Sequence, residues 1–413
     1  MTAKHVAIAF AAAALAASLS ACTSSTTANP SNTATVPATE ALRAALAQLT
    51  AAGSAPGALA LVDTPEDTVT LVSGTSDVAT GAAMSDSAAT RIASVSKAFN
   101  GAVLLALVDR KELQLTDRIG TLLADLPPTW RDVTVAQLLQ HTSGLPDYIK
   151  SPAFIADLTT NPQMQRTPQQ LLEYVAGDPP AFAPGTEYLY SDTDNIVAGL
   201  IAEQVSGKPY DRLLEDLVYS PLSLQATSLP ADVALPPGFI HGYEVAAEDA
   251  SPAPEDVSTL INPALAWASG GMVSTAADLN TFIRSYAAGS QVNDGTRNAQ
   301  RQWVPGVGGP PGPGVNSSGL ALYRYETACG TWLGHTGNMP GYTLFAAADA
   351  AGQRSVVVAV NTQVNAKAQP DLFERLLAVE DAALCVAQNP AEASASAGSA
   401  GAKSTGSTSS PGA

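Results

Sequence analysis

Apolar residues at helical spacing open the ordered part of the chain. Leu42, Ala45, Leu46 and Leu49 share one face of a helix expected over Glu40–Ala52. Gly57–Val62 and Thr68–Gly74 read as two strands joined by the turn-forming Asp63-Thr64-Pro65-Glu66-Asp67. Lys97–Val108 is apolar almost all round, the pattern of a buried helix. Val135–His141, Gln169–Val175 and Asn195–Val205 are shorter helical stretches, and Pro127-Pro128 and Pro179-Pro180 break the chain between them. Tyr342–Ala348 and Arg354–Val360 alternate or run apolar like sheet strands, and Asp371–Cys385 closes as an amphipathic helix. Strands at both ends with helices between them predict an α+β fold: a sheet lobe assembled from both termini, with a helical lobe inserted. There is no internal repeat, and the Gly/Pro run Gly306–Gly314 reads as a surface loop.

The ends of the chain carry a different pattern. Val6–Leu19 is apolar but for Ser18 and follows Lys4 and His5. It is shorter than the roughly 20 residues a bilayer-spanning helix needs and reads as an export signal. The run passes into Leu19-Ser20-Ala21-Cys22, which resembles the bacterial lipobox and implies cleavage before Cys22 and lipidation of that residue. An ordinary secretory signal with an incidental cysteine is the alternative. The expected organisation is a lipoprotein signal peptide over 1–21, a flexible Ser/Thr/Pro/Ala/Asn tether over 22–39, a folded domain over 40–388 and a low-complexity tail over 389–413. The expected location is the extracytoplasmic face of a bacterial membrane, held there by the lipid.

Composition narrows the function. Hydrophobic residues make up 46% of the 413 residues, enough for a packed core, and only 14% are charged. With 20 Lys+Arg against 37 Asp+Glu the net charge is −17, which excludes a basic nucleic-acid-binding face and electrostatic docking on anionic lipid. Besides Cys22 only Cys329 and Cys385 remain. In an oxidising compartment this pair is expected to be bridged, closing a loop worth about 4 kcal/mol in chain entropy; two buried free thiols are the alternative.

The sharpest chemical signal is Arg91-Ile92-Ala93-Ser94-Val95-Ser96-Lys97. Ser94 and Lys97, three apart at the start of the buried helix, share a face, so the amine reaches the hydroxyl beside the free N–H groups of the helix N-terminus. A base within reach and donors for an oxyanion are what an activated serine needs. A chance Ser-x-x-Lys with serine as a helix cap is the bland reading. Two later segments shift the balance: Tyr190-Ser191-Asp192 and His335-Thr336-Gly337, followed by Asn338.

In this order the three motifs resemble those of the serine β-lactamase and penicillin-binding protein superfamily, in particular the branch with class C β-lactamases and exported D-alanyl-D-alanine carboxypeptidases. Leu138-Leu139-Gln140-His141-Thr142-Ser143-Gly144-Leu145 and Ser269-Gly270-Gly271-Met272-Val273-Ser274-Thr275 resemble further segments of that family, and the cysteine pair is similar to that of its carboxypeptidases. The resemblance implies a β-lactamase/transpeptidase-like fold, an antiparallel sheet flanked by helices with the site beside a helical lobe. It implies Ser94 as nucleophile, Lys97 as base and Tyr190 as proton relay. It also implies the N–H groups of Ser94 and Asn338 as oxyanion hole, Thr336 and Gly337 on the substrate strand, with Thr336 holding a substrate carboxylate, and His335 beside it as a partial cation. The implied activity is a D-alanyl-D-alanine carboxypeptidase on cell-wall peptides. An esterase or β-lactamase-like hydrolase on the same site, and a binding protein without turnover, are the rivals.

Two departures bear on that choice. Asp192 stands where the family usually has Asn; an ionised carboxylate cannot donate to a substrate carbonyl, and beside Lys97 it favours the ammonium and opposes base action. His335 replaces the commoner Lys and is a weaker carboxylate anchor. Arg324, the nearest arginine upstream, falls out of register with the family's carboxylate-binding arginine. No metal or cofactor is expected, because His141, His241 and His335 have no ligand partners at useful spacing, and Asp192-Thr193-Asp194-Asn195 lacks the rest of a calcium loop. His141 reads as structural, Trp267 as either cleft wall or core, and no Gly-x-Ser-x-Gly elbow occurs.

Overall fold

The computed structural model describes residues 38–51, 54–245, 253–305 and 309–389. The signal segment, Cys22, the tether up to residue 37 and the tail from residue 390 lie outside them.

Nine strands form one antiparallel sheet, and its order explains how the chain closes on itself. Across the sheet run Ala82–Ala83, Thr68–Asp77, Gly57–Asp63, Ser355–Val360, Tyr342–Ala348, Gly330–Met339, Tyr323–Thr327, Val315–Ser318 and Val304–Pro305. The first strand, Gly57–Asp63, pairs with the last, Ser355–Val360, in the register Ala58↔Val360 to Asp63↔Ser355. Both are buried along their whole length, as central strands covered on two faces must be. The expected sheet lobe built from both termini is therefore present, and the α+β class with it.

Each face of the sheet has its own core. On one face, helices Ala38–Leu49 and Pro370–Gln388 lie against Ala58, Ala60, Val62, Phe345, Val356 and Val358 through Leu42, Leu46, Leu49, Leu376, Val379 and Leu384. On the other, the helical lobe packs through Phe99, Val103, Leu104, Ile196, Leu200, Phe282 and Ile283 on Leu59, Leu61, Leu344 and Val357. Ser96–Asp109, the expected buried helix, passes through the middle of that second core. Asp192–Ser206 packs beside it and begins three residues earlier than its apolar pattern predicts. Cys329 and Cys385 form a disulfide that ties the turn between two strands to the last helix.

The terminal-helix layer buries one acid. Glu380 is 2% exposed, and its Oε2 has no hydrogen-bond partner. Burial, and then the charge of Asp381, push its carboxyl up to about 8. A carboxyl whose folded value lies above its unfolded one stabilises the protein fully only at low pH, and that contribution drains away as pH rises from about 4.5 to 8. Glu380→Gln is therefore expected to gain on the wild type by roughly 3–5 kcal/mol between pH 5 and pH 8, checked by urea unfolding at both.

Candidate active site

The site lies where the start of the Ser96–Asp109 helix meets the sheet. A single turn of 3-10 helix, Ala93–Val95, precedes it, entered through Ala93 at φ +46°, a left-handed conformation that costs a residue with a Cβ. This sharp turn sets Ser94 at the helix start, and its N–H donates to no group among the described residues. Strand Gly330–Met339 passes beside it. A Cβ on Gly337 would meet the Ile92 carbonyl at 2.4 Å, so only glycine lets the strand approach the nucleophile turn this closely.

Lys97 is fully buried and spends all three of its protons. It donates to Ser94 Oγ at 3.0 Å, to Asp192 Oδ1 at 2.7 Å and to the Ser269 carbonyl at 2.8 Å. Its ammonium also sits over the Tyr190 ring, 4.8 Å from the centroid. Ser94, Lys97, Tyr190 and Asp192 are thus one cluster, and the Ser269 segment supplies a fifth member, a backbone acceptor. The Tyr190 hydroxyl is buried near Ser94 without a hydrogen bond of good geometry; burial, then the Asp192 charge, push its pKa well up, so it is a neutral phenol.

The strand residues divide between two directions. His335 Nδ1 lies 2.6 Å from the Thr336 carbonyl, which can only accept, so the proton is on Nδ1 and Nε2 is a bare, buried acceptor. Burial pushes His335 down to about 3. The imidazole is neutral, which corrects the expected partial cation: a ring closed in beside Tyr323, with Lys97 nearby, has no water to carry a charge. Thr336 turns toward the Tyr325 hydroxyl and is covered by Gly312, so part of the Gly/Pro run roofs this end of the strand rather than standing free. The Asn338 side chain is tied to the Val364 carbonyl at 2.6 Å and to Thr343 Oγ1 at 3.2 Å, which fixes its backbone. The neighbouring strand Tyr323–Thr327 stops pairing at Tyr323↔Gly334. Beyond it no strand among the described residues pairs with 335–339 on that side, which leaves the backbone groups of that edge unpaired by the sheet.

Arg324 does not reach the cleft. It alternates with the inward Tyr323 and Tyr325, lies over the Trp303 ring at 5.5 Å and pairs with Glu326 at 3.2 Å. Trp267 is partly buried and packs on Gly199 and on the Tyr210 ring at 4.8 Å, at the margin of the helical-lobe core.

Behind the site lie an acid that the sequence analysis does not single out, Asp147, and the residues of the 138–145 segment. Asp147 is almost wholly buried; its Oδ1 accepts the N–H of Asp192 at 3.1 Å, and its Oδ2 pairs with Lys150 at 3.0 Å. Burial, then the Asp192 charge, raise it to about 6. His141, in the left-handed position that ends helix Val135–Gln140, holds Asp194 at 2.8 Å, and Asp194 accepts Ser143 Oγ at 2.5 Å. Burial drives His141 down and Asp194 up, toward their uncharged forms. The His141 ring lies 4.5 Å from that of Tyr190, so the expected structural role becomes specific: it backs the tyrosine.

The sequence pattern of one protein family runs through all of these elements, matching residues 42–380. The chain belongs to the Beta-lactamase family. Among curated members it is 29% identical over 249 residues to penicillin-binding protein 4 of Amycolatopsis lactamdurans and 25% identical over 230 residues to a beta-lactamase of Escherichia coli (strain K12). The matches span 59% and 54% of this chain and only 62% and 54% of those relatives' lengths. Among solved structures, a D-stereospecific amidohydrolase from a Streptomyces species is similar at 28% identity and TM-score 0.70, over 80% of this chain and 97% of the other. The D-amino acid amidase of Ochrobactrum anthropi SV3, complexed with D-phenylalanine, shares the Beta-lactamase fold at 23% identity and TM-score 0.73, over 84% and 98% of the two chains. The sheet and helical lobe are thus those of a β-lactamase-fold serine hydrolase.

Proposed function

We propose that the protein is a hydrolase that forms an acyl-enzyme on Ser94, acting on amides, peptides or esters of small D-amino acids. The observation that carries this reading is the Ser94–Lys97–Asp192–Ser269 cluster set against an unpaired strand edge. Once Lys97 has lost to solvent the proton it points at Ser94, the hydrogen bond reverses: Ser94 Oγ gives its proton to the amine as it attacks the acyl carbon, and Lys97 keeps its bonds to Asp192 and the Ser269 carbonyl. The free N–H of Ser94 and that of Asn338 hold the oxyanion. Tyr190 and Lys97 return a proton to the departing amine or alcohol, and water then cleaves the ester, releasing the acid and restoring the serine.

Of the finer readings, a D-alanyl-D-alanine carboxypeptidase needs a cation for the terminal carboxylate. Here His335 is neutral, Arg324 faces away and Lys97 is fully engaged. The geometry favours amidase-type donors that end in an amide or ester. Export and lipid attachment at Cys22 stay part of the proposal on the sequence pattern, and the Cys329–Cys385 bridge is in keeping with an oxidising compartment. The experiment is intact-mass spectrometry after incubation with D-phenylalanine methyl ester and, separately, benzylpenicillin. An adduct on the Ser94 peptide is expected with the ester; no adduct and no hydrolysis with either compound leaves a protein that binds without turnover.

A further inference from the structure

The two oxygens of Asp192 do different things. Oδ1 receives Lys97; Oδ2 receives no hydrogen bond from the described residues, and the side chain is 11% exposed, so this oxygen opens on the cleft. Asp147 stands directly behind it, its Oδ1 accepting the backbone N–H of Asp192. The cations nearby are committed: Lys97 has three partners, and Lys150 pairs with Asp147 at 3.0 Å. The imidazole of His335 adds a second bare acceptor, Nε2, rather than a charge.

An amide side chain at position 192 could donate its NH2 to the carbonyl of an acylated amino group. A carboxylate has no proton to give and repels a carbonyl oxygen; what it binds is an N–H, and best a cationic one. Ser94 Oγ and Asp192 Oδ1 both lie within 3.0 Å of the same Lys97 Nζ, close enough for one α-amino acyl group to touch both sides of the cleft.

We propose that Asp192 is a specificity residue that binds the free α-ammonium of the acyl donor, so that the enzyme takes amino-acid amides, esters and N-terminal residues in preference to N-acylated donors. The inference rests on acylation of Ser94. In the bound donor the carbonyl carbon faces Ser94 Oγ, the α-ammonium donates to Asp192 Oδ2, and the leaving group points along the unpaired edge at 335–339. An acetyl cap replaces that cation by a carbonyl that meets an anion.

The test compares kcat/KM for D-phenylalanine methyl ester and its N-acetyl counterpart at pH 6.5, with wild type and Asp192→Asn. Wild type is expected to favour the free amine at least tenfold, and Asp192→Asn to bring the ratio to one or below. Because the variant also disturbs Lys97, the ratio in wild type is followed from pH 6 to 9 as well. It is expected to fall as the α-ammonium titrates, around pH 7.7–8.0 or lower for an ester. Equal or faster hydrolysis of the acetylated ester by wild type, a ratio flat with pH, or a preference that survives Asp192→Asn each overturns the inference. Hydrolysis or an adduct that Ser94→Ala abolishes, in those same runs, shows that the specificity has failed and not the acylation; neither hydrolysis nor an adduct from either ester overturns both.

Discussion

Ser94→Ala is expected to abolish turnover, with kcat/KM for any acyl donor falling by roughly 10³-fold or more, while the protein stays folded. The two halves of this result have separate causes. Removing the hydroxyl removes the atom that bonds to the substrate, and no neighbouring group can replace it: Lys97 is saturated and Tyr190 is a buried phenol. Stability is little affected, because Ser94 is only partly buried and Lys97 keeps two of its three acceptors. A change within about 1 kcal/mol fits a substitution that leaves no buried charge unpaired. Initial rates, intact mass and a urea melt decide it together. Activity retained with a normal melt would remove Ser94 from the mechanism.

Lys97→Met should lose both activity and stability, and a second substitution separates them. The methionine keeps the bulk of the buried chain but leaves Asp192 and the Ser269 carbonyl without their donor. Breaking one side of a buried ion pair typically costs about 3–5 kcal/mol. Loss of proton transfer costs about 10²- to 10⁴-fold in rate. Adding Asp192→Asn neutralises the stranded charge, so urea midpoints are expected to recover much of the loss while the rate does not. A double variant that regains activity along with stability would make Lys97 a structural residue only.

Much of this architecture is legible in the sequence because its elements are defined by unbroken apolar patterns. Ser96–Asp109, Tyr342–Ala348 and Ser355–Val360 lie within a residue or two of where Lys97–Val108, Tyr342–Ala348 and Arg354–Val360 read as helix and strands. The strand that carries His335-Thr336-Gly337 escapes that reading. Gly330–Met339 holds Gly330, Gly334 and Gly337 among polar residues, and alternation vanishes where a strand gives up side chains to let a neighbour approach. The helix Asp192–Ser206 hides its start for a related reason: Asp192, Thr193, Asp194 and Asn195 are all buried, so polarity there marks the site and not a surface loop. Ser94, Lys97 and Tyr190 announce themselves through order and spacing. Asp147 does not, since a carboxylate whose partner is a backbone N–H of a residue far along the chain leaves no periodic trace. The neutrality of His335 was likewise invisible, being a property of its enclosure and not of its neighbours in sequence.

The pairing of the first strand with the last also makes the polypeptide nearly a closed ring. The guanidinium of Arg375, early in the last helix, reaches the carbonyl of Gln48, late in the first, at 3.5 Å, so the two terminal helices run antiparallel. Ala38 and Gln388 therefore emerge at the same corner, on the sheet face turned away from the helical lobe. A short linker between them, with new ends opened at the exposed turn around Glu66, gives a circular permutant whose cleft is untouched. By the same geometry, a carrier joined directly at Ala38 or Gln388 stands at the back of the domain and leaves the approach to Ser94 clear.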